Sequence, residues 1–372
     1  MQRIRFCHVI DGSNLNPLLY NAIKFSDREK FEYTVISLEP ENGLQEQMRD
    51  LGVRSFSLAY TSRRQAIRAL WRLYKYFSSE KIQIVQTHLF DASLIGLTAA
   101  RLARVPVTIF TGHHSHETPL HKRRLLTFID GLSARLLAKH TIAPSEQMKQ
   151  IFVSDLKVPA EKVNVIHHGF DLEDWRVRAA EKTRFADEFG IRGKIVFGAV
   201  GRLFWVKDFT TLIDGFASAA KEREDIVLVI VGDGNERQAL QERIDRVGLT
   251  DKIKLTGRRT DIAAVMNTFD VFVHSSLAES FGMVFIEAFA LGLPVISTRV
   301  GVAAEVIEDG LNGYLVATEN PAEIAEAITK MLDQRRDWNQ MAERCREIAD
   351  GFTVRRTQAE CDDFYLDCLG SK

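Results

Sequence analysis

The sequence predicts an α/β protein of two domains, each a parallel sheet layered with helices. Apolar runs of strand length alternate with longer stretches of helical period along almost the whole chain. Several of those runs are apolar at every position, as in Ile226-Val-Leu-Val-Ile-Val231, which suits strands covered on both faces. At 372 residues the chain is also longer than one hydrophobic core usually covers.

In the first half the strand candidates are Ile4–Ile10, Phe31–Ser37, Ile84–Thr87, Val107–Phe110 and Thr141–Ala143, with a strand-like Val163–Ile166 after them. Helical periodicity fills the gaps, as over Arg63–Phe77 and Ala92–Leu102. The second half repeats the scheme with Ile195–Val200, Ile226–Val231, Ile253–Leu255, Val271–His274 and Val295–Ser297. Its helices include Phe209–Arg223, Glu236–Val247 and Pro321–Leu332. The boundary falls near Gly169–Glu181, where His168-Gly169-Phe170-Asp171 leaves a strand and an Arg-rich stretch follows. This gives domains of 1–170 and 171–352. Thr353–Leu369 reads as one more amphipathic helix, residues 353–372 packing back on the first domain. No repeat of solenoid period appears. Two such domains would place ligands in a crevice at the carboxyl ends of their strands.

Hydrophobic content of 45% and charged content of 27% belong to a globular chain rather than a disordered one. No apolar run reaches the roughly 18 residues needed to span a bilayer. The N-terminus enters a strand without a signal-peptide pattern, so a cytoplasmic protein is expected. Cys7, Cys345, Cys361 and Cys368 are not spaced as metal ligands, and such sparse use fits a reducing compartment. The net charge of -1 hides an asymmetry. Up to residue 170 there are 23 basic against 15 acidic side chains; beyond it there are 26 against 35. Between Arg54 and Lys139 the ratio is 14 to four. Charge fields of this kind bear on partners rather than on fold.

The most informative stretch is Glu279-Ser-Phe-Gly-Met-Val-Phe-Ile-Glu287, directly after the strand Val271–His274. A helix beginning near Phe281 would turn its unpaired N–H groups and its dipole toward a phosphate or sugar oxygen above the strand end. Gly282 would let a ligand approach the backbone. Glu287 could accept both hydroxyls of a ribose and Glu279 those of a sugar, since ionised acceptors make the stronger hydrogen bonds. On spacing alone the pair reads better as two surface glutamates near a helix start. Its company changes that: Gly201-Arg202 follows the strand Ile195–Val200, and Lys207 comes five residues later. An Arg and a Lys at a strand end can neutralise a diphosphate without a metal. No Asp-x-Asp occurs in the second half, so no divalent-ion clamp is expected.

With these residues in view the chain resembles glycosyltransferase family 4, the retaining GT-B enzymes. The resemblance rests on Gly201-Arg202-Leu203 with Lys207, Val231-Gly232-Asp233-Gly234, Glu279-Ser-Phe-Gly with Glu287-Ala288, and Ala290-Leu-Gly-Leu-Pro-Val295. It continues through Glu305-Val-Ile-Glu-Asp-Gly310 and Asn312-Gly313-Tyr-Leu-Val316. It implies two facing Rossmann-like domains around an interdomain cleft, and a metal-independent enzyme moving a sugar from a nucleotide-diphosphate sugar to an acceptor hydroxyl. A UDP-sugar is the favoured donor, with GDP- and ADP-sugars as alternatives. The resemblance also implies that Gly201, Arg202 and Lys207 hold the donor diphosphate and Glu287 the ribose. Glu279 with the backbone of Phe281, Gly282 and Met283 would hold the sugar, Ser280 and Val284 would also belong to the donor site, and Gly257-Arg258 would lie near the base.

The first half matches less closely. Thr111-Gly-His113-His114 looks like the family's strand-end histidine segment, with His113 the counterpart placed near the reacting sugar and His114 and His116 as alternatives. Where the family's first loop carries a Gly-Gly pair, Asp11-Gly12-Ser13-Asn14 carries Gly12 alone. The basic helices 63–75 and 122–139 interleave cations with apolar residues, a pattern that can lie on an anionic membrane surface. A lipid-linked or envelope-glycan acceptor follows, and a location on the inner face of the plasma membrane. The other readings are a nucleotide-sugar epimerase of the same fold and a non-catalytic nucleotide-sugar-binding protein. A dehydrogenase fails because Arg237 stands at the third glycine of G-x-G-x-x-G. Nucleic acid is not expected, because no recognised module accompanies the basic face.

Overall fold

A computed structural model of the chain describes residues 2–112, 124–180 and 184–370. The chain divides into two compact units, residues 1–169 with 354–372, and residues 170–353. The first unit holds strands β1 (Ile4–Ile10), β2 (Phe31–Ser37), β3 (Arg54–Ser57), β4 (Ile84–His88), β5 (Val107–Thr111), β6 (His140–Ala143) and β7 (Val163–Val165). They form one sheet in the order β3-β2-β1-β4-β5-β6-β7, and every neighbouring pair is parallel. The second holds β8 (Ile195–Val200), β9 (Ile226–Val231), β10 (Ile253–Leu255), β11 (Val271–His274), β12 (Val295–Thr298) and β13 (Gly313–Val316). Their order is β10-β9-β8-β11-β12-β13, again parallel throughout. In each sheet the strand order reverses once, between β1 and β4 and between β8 and β11. Such a switch point opens a crevice at the carboxyl ends of the strands.

The continuous apolar runs are used on both faces. In β9, Val227, Val229 and Val231 pack with Phe285 and Phe289, while Ile226, Leu228 and Ile230 pack with Leu212, Phe216 and Ile328. The two-residue period of a strand sends alternate side chains to opposite sides, so such a strand must be apolar at every position. Burying each of these side chains stabilises the fold by about 1.5–3 kcal/mol.

Helix and strand limits differ from the sequence reading where end chemistry decides. The helix expected over Arg63–Phe77 opens with a 3-10 turn, Arg63–Gln65, and continues as Ala66–Ser79. The helix after β8 stops at Ala219, short of Arg223. Strand β3 escaped the reading because Arg54-Ser-Phe-Ser57, at the sheet edge, holds no apolar run. The helix Val354–Gly370 packs on the first unit. There Tyr365 donates to Gln86 Oε1 (2.8 Å), and the Asp362 carboxylate accepts from Ser26 Oγ (3.0 Å) and the Asp27 N–H (2.7 Å).

Under that helix lies a cavity of about 250 Å³ at the carboxyl ends of β1 and β4 to β7, lined by His8, His88, Leu19, His168 and Tyr365 among others. His8 Nδ1 lies 3.0 Å from His88 Nε2, and its ring stacks on Phe6 at 4.6 Å. Burial pushes His8 down to about 3, and burial with His167 pushes His168 down to about 4. An unfolded histidine titrates near pH 6.5, so between there and the folded values the unfolded chain binds more protons. The two rings therefore contribute stability that is complete above about pH 6.5 and falls as pH falls, by on the order of 2 kcal/mol each near pH 5. Burial raises Asp11 to about 6 and Asp130 to about 7, which favours the folded state on acidification, so the histidine effect is read ring by ring rather than from a melting curve. By imidazole NMR, His8 and His168 should stay neutral down to about pH 5. A midpoint near 6.5 for either ring would contradict its burial.

Candidate functional site

At the switch point of the second sheet, the loops leaving β8 and β11 are laced together. The Leu277 N–H donates to the Val206 carbonyl (2.8 Å), and Ser275 Oγ donates to the Lys207 carbonyl (2.9 Å). Lys207 ends a 3-10 turn, and Asp208 takes a left-handed φ of 45° to start the next helix, accepting from the Thr211 N–H (3.3 Å). These ties bring the Lys207 ammonium onto Glu279 Oε1 as an ion pair.

Glu279 is the centre of the cluster. The same Oε1 faces His274 Nε2 at 2.9 Å and accepts from Ser276 Oγ at 3.2 Å. Burial alone would raise this carboxyl, but His274 and Lys207 more than offset it and hold Glu279 well below the usual carboxylate range. Burial, with Lys207 adding to it, keeps His274 below its ordinary value against the pull of Glu279. An ionised carboxylate can only accept, so neutral His274 carries its proton on Nε2. All three contacts fall on Oε1. Among the described residues Oε2 has none.

The helix after this loop is Met283–Leu291. It starts two residues later than the expected Phe281 because Gly282 takes a left-handed φ of 87° at the N-cap. A Cβ there would sit 2.5 Å from the Phe285 ring. Among the described residues no side chain caps this helix; the Phe285 N–H donates to the Gly282 carbonyl (3.0 Å), which leaves those of Met283 and Val284 for a ligand. Glu287 lies just over one turn further in and is half-buried, with no hydrogen bond to its carboxyl among the described residues. Burial raises it to about 7, opposed by Arg178. Trp175 Nε1 donates to the Glu287 carbonyl (3.1 Å) and pins that turn.

The remaining residues sit at neighbouring strand ends. Arg202 is exposed, lies 4.9 Å over the Phe204 ring, and pairs with no carboxylate among the described residues. Gly201 lies against the loop after β9: a Cβ on Gly232 would strike the Gly201 carbonyl, and one on Gly234 the Leu203 carbonyl. Gly257, with φ 79°, accepts from the Gly232 N–H (3.0 Å), and Arg258 beside it is exposed. The glycines of Val231-Gly-Asp-Gly are thus explained by loop packing. Ser280 and Phe281 lie in the loop between Glu279 and Gly282, and the Phe281 carbonyl accepts from the Val302 N–H (2.8 Å). Met283 and Val284 open the helix. Gly12 belongs to the first unit, beside Glu39. His113, His114 and His116, together with Lys122 and Arg123, lie outside the described residues. Sequence reasoning missed His274 and Trp175; the one available signal was a polar residue closing an apolar strand five positions before Glu279.

Residues 18–174 match the family described as Glycosyltransferase Family 4, and residues 181–350 that of Glycosyl transferases group 1. The chain belongs to glycosyltransferase family 4. It is a sugar-transferring enzyme of the GT-B fold. It is 29% identical, over 100% of its own length and 98% of the relative's, to the UDP-Gal:alpha-D-GlcNAc-diphosphoundecaprenol alpha-1,3-galactosyltransferase of Escherichia coli. It is 26% identical to the alpha-monoglucosyldiacylglycerol synthase of Streptococcus pneumoniae, over 84% of this chain and 72% of that one. The structure of Anabaena Alr3699/HepE in complex with UDP superposes with a TM-score of 0.83 at 21% identity, covering 98% of this chain and 100% of that one.

For this family 4 enzyme the crowding of loops makes a direct prediction. Gly301, with φ 54°, lies where a Cβ would strike the Phe281 carbonyl and come within 3.1 Å of Glu279 Cβ. Gly301→Ala should cost about 1–3 kcal/mol and lower the midpoint of urea unfolding. An unchanged midpoint would mean the loop has room that the geometry denies it.

Proposed function

We propose that the enzyme transfers a sugar, with retention of configuration, from a UDP-sugar held in the second unit to a hydroxyl of a lipid-linked or envelope-glycan acceptor. The observation that carries this reading is the cluster at the β8–β11 switch point. Among the described residues, a Glu279 ion-paired through Oε1 with no contact on Oε2, a helix start with no side-chain cap and an Arg202 with no carboxylate partner sit on neighbouring strand ends. Of two similar proteins, HepE binds UDP, and the E. coli transferase pairs a UDP-Gal donor with a diphosphoundecaprenol-linked acceptor.

In this reading Arg202, Lys207 and the N–H groups at Met283 and Val284 face the diphosphate. An ammonium has three donors, so Lys207 can keep Glu279 and still reach a phosphate. Glu279 Oε2 takes hydroxyls of the transferred sugar, Glu287 the two ribose hydroxyls, and Gly257-Arg258 lie by the base. The acceptor oxygen attacks the anomeric carbon on the face from which the phosphate departs, the C–O bond to phosphate breaks, and the acceptor's proton passes to a phosphate oxygen. Negative charge grows on the leaving diphosphate, so cations and oriented N–H groups there stabilise the transition state more than the ground state.

Arg202→Ala should therefore depress turnover by on the order of 10²-fold, read as transfer from a UDP-sugar. Normal turnover would remove Arg202 from the mechanism. Release of a free, altered sugar nucleotide would instead favour an epimerase.

The acceptor side includes a membrane surface. The helices Ala66–Ser79 and Phe90–Leu102 pack side by side, and the second also meets Arg124–Leu132 and its π-helical continuation Ser133–Leu137. Of ten large apolar side chains exposed among the described residues, seven lie on these helices, including Ile67, Trp71, Phe128 and Leu136. Exposed Arg64, Arg68, Arg101, Arg104 and Arg135 lie on or next to the same helices in the sequence. Each such cation near an anionic surface is worth about 1 kcal/mol. The protein should float with anionic vesicles at low salt and not with neutral ones, and Trp71→Ser with Phe128→Ser should weaken flotation. Equal recovery with both vesicle types would contradict the charge argument.

A further inference from the structure

We infer that His274 is a positioning residue for sugar transfer: its Nε2–H fixes the Glu279 carboxylate so that Oε2 is presented to the donor sugar. The role rests on Glu279 being a ligand of that sugar, as proposed above.

The three groups that hold Oε1 differ in stiffness. Lys207 reaches it on a flexible four-carbon stem from a loop, and Ser276 from a longer 3.2 Å contact. His274 stands at the end of β11, is 3% exposed, and is fixed edge-on to Phe285 at 4.8 Å and stacked with Phe272 at 6.2 Å. The last torsion of a glutamate is broad, so a carboxylate held only by mobile partners can rotate and exchange its two oxygens. A rigid donor on one oxygen removes that freedom and leaves the other oriented. Among the described residues, the titratable groups that face Glu279 are His274 and Lys207. With Lys207 balancing the carboxylate, a neutral imidazole supplies the hydrogen bond without adding a second buried cation. Over the neutral pH range the donor is therefore always present.

Two substitutions separate the N–H from the ring. His274→Phe keeps a ring against Phe272 and Phe285 without a donor; His274→Gln keeps a donor without the ring. UDP release from UDP-galactose or UDP-glucose, whichever the wild type turns over, is the assay. In His274→Phe, kcat/KM should fall about 10- to 100-fold, the worth of one hydrogen bond to a charged group. The acidic limb of its pH profile should move upward, because the carboxylate loses a donor. His274→Gln should recover most of the loss, and binding of UDP, which lacks the sugar, should be unchanged in both. Gln performing no better than Phe would assign His274 to packing alone and overturn the inference. Should His274→Phe fail to bind UDP, the wild-type protein decides: nitrogen NMR must show a neutral His274 protonated on Nε2, and the other tautomer or a cation overturns the role. Glu279→Ala is measured alongside. Full activity there sinks the donor-site reading itself, whereas an inactive Glu279→Ala beside a fully active His274→Phe sinks only the positioning role.

Discussion

The Lys207–Glu279 ion pair, held largely out of water at the ends of β8 and β11, sets the conditions for the rest of the second unit. Its two side chains are 19% and 10% exposed, so each has lost most of its hydration. Either charge alone in that place would cost several kcal/mol, and their attraction offsets this only if geometry is good and the remaining lone pairs are satisfied. The fold meets the first condition around Oε1 and leaves Oε2 without a partner among the described residues. Ser275 and Leu277 tie the two loops together, and His274 and Ser276 supply donors to the carboxylate oxygen that Lys207 already holds. Because one oxygen takes all three contacts, the charge is stabilised without being used up. A pair of this kind is weak evidence for stability and better evidence for a site, since an apolar pair would fill the same space at less cost.

Crowding around that pair explains most of the glycines that a sequence reader would assign to a ligand. Gly232 and Gly234 let the loop after β9 pass against the carbonyls of Gly201 and Leu203, and Gly301 does the same for the loop after β12 against Phe281. Their freedom is spent on bringing backbone to backbone. Gly282 differs, because its left-handed conformation ends the loop and leaves the helix Met283–Leu291 without a side-chain cap. That vacancy is what a bound anion could fill.

Much of this was legible beforehand, and the omissions have physical reasons. Strands covered on both faces announce themselves, as Ile226–Val231 does, because no position can be polar. The edge strand Arg54–Ser57 is under no such constraint and carried no signal. Arg202, Lys207, Glu279 and Glu287 could be singled out because each lies at a fixed distance from a strand end or a helix start. His274 could not, because its role depends on which way one strand-terminal side chain turns. The first unit inverts the pattern. Three histidines adjacent in sequence drew attention, while His8 and His88, eighty positions apart, meet in space because β1 and β4 are neighbours.

The charge division along the chain has a further consequence for how each unit can hold an anion. The second half carries 26 basic against 35 acidic side chains, so at long range it repels a diphosphate. Screening limits such repulsion to about 8 Å at physiological ionic strength, and inside that distance the nearest groups decide. Much of the second unit's basic complement is already engaged: Arg176, Arg243, Lys252 and Arg259 all sit in ion pairs. Arg202 has no such partner among the described residues, and Lys207 shares its charge with a single carboxylate. Any recognition of a small anion in that unit must therefore come from a few placed groups and be specific. The basic excess between Arg54 and Lys139 is spread along the sequence instead, with only four acidic residues to pair with it. That arrangement suits a broad anionic surface and has little use for a single small anion.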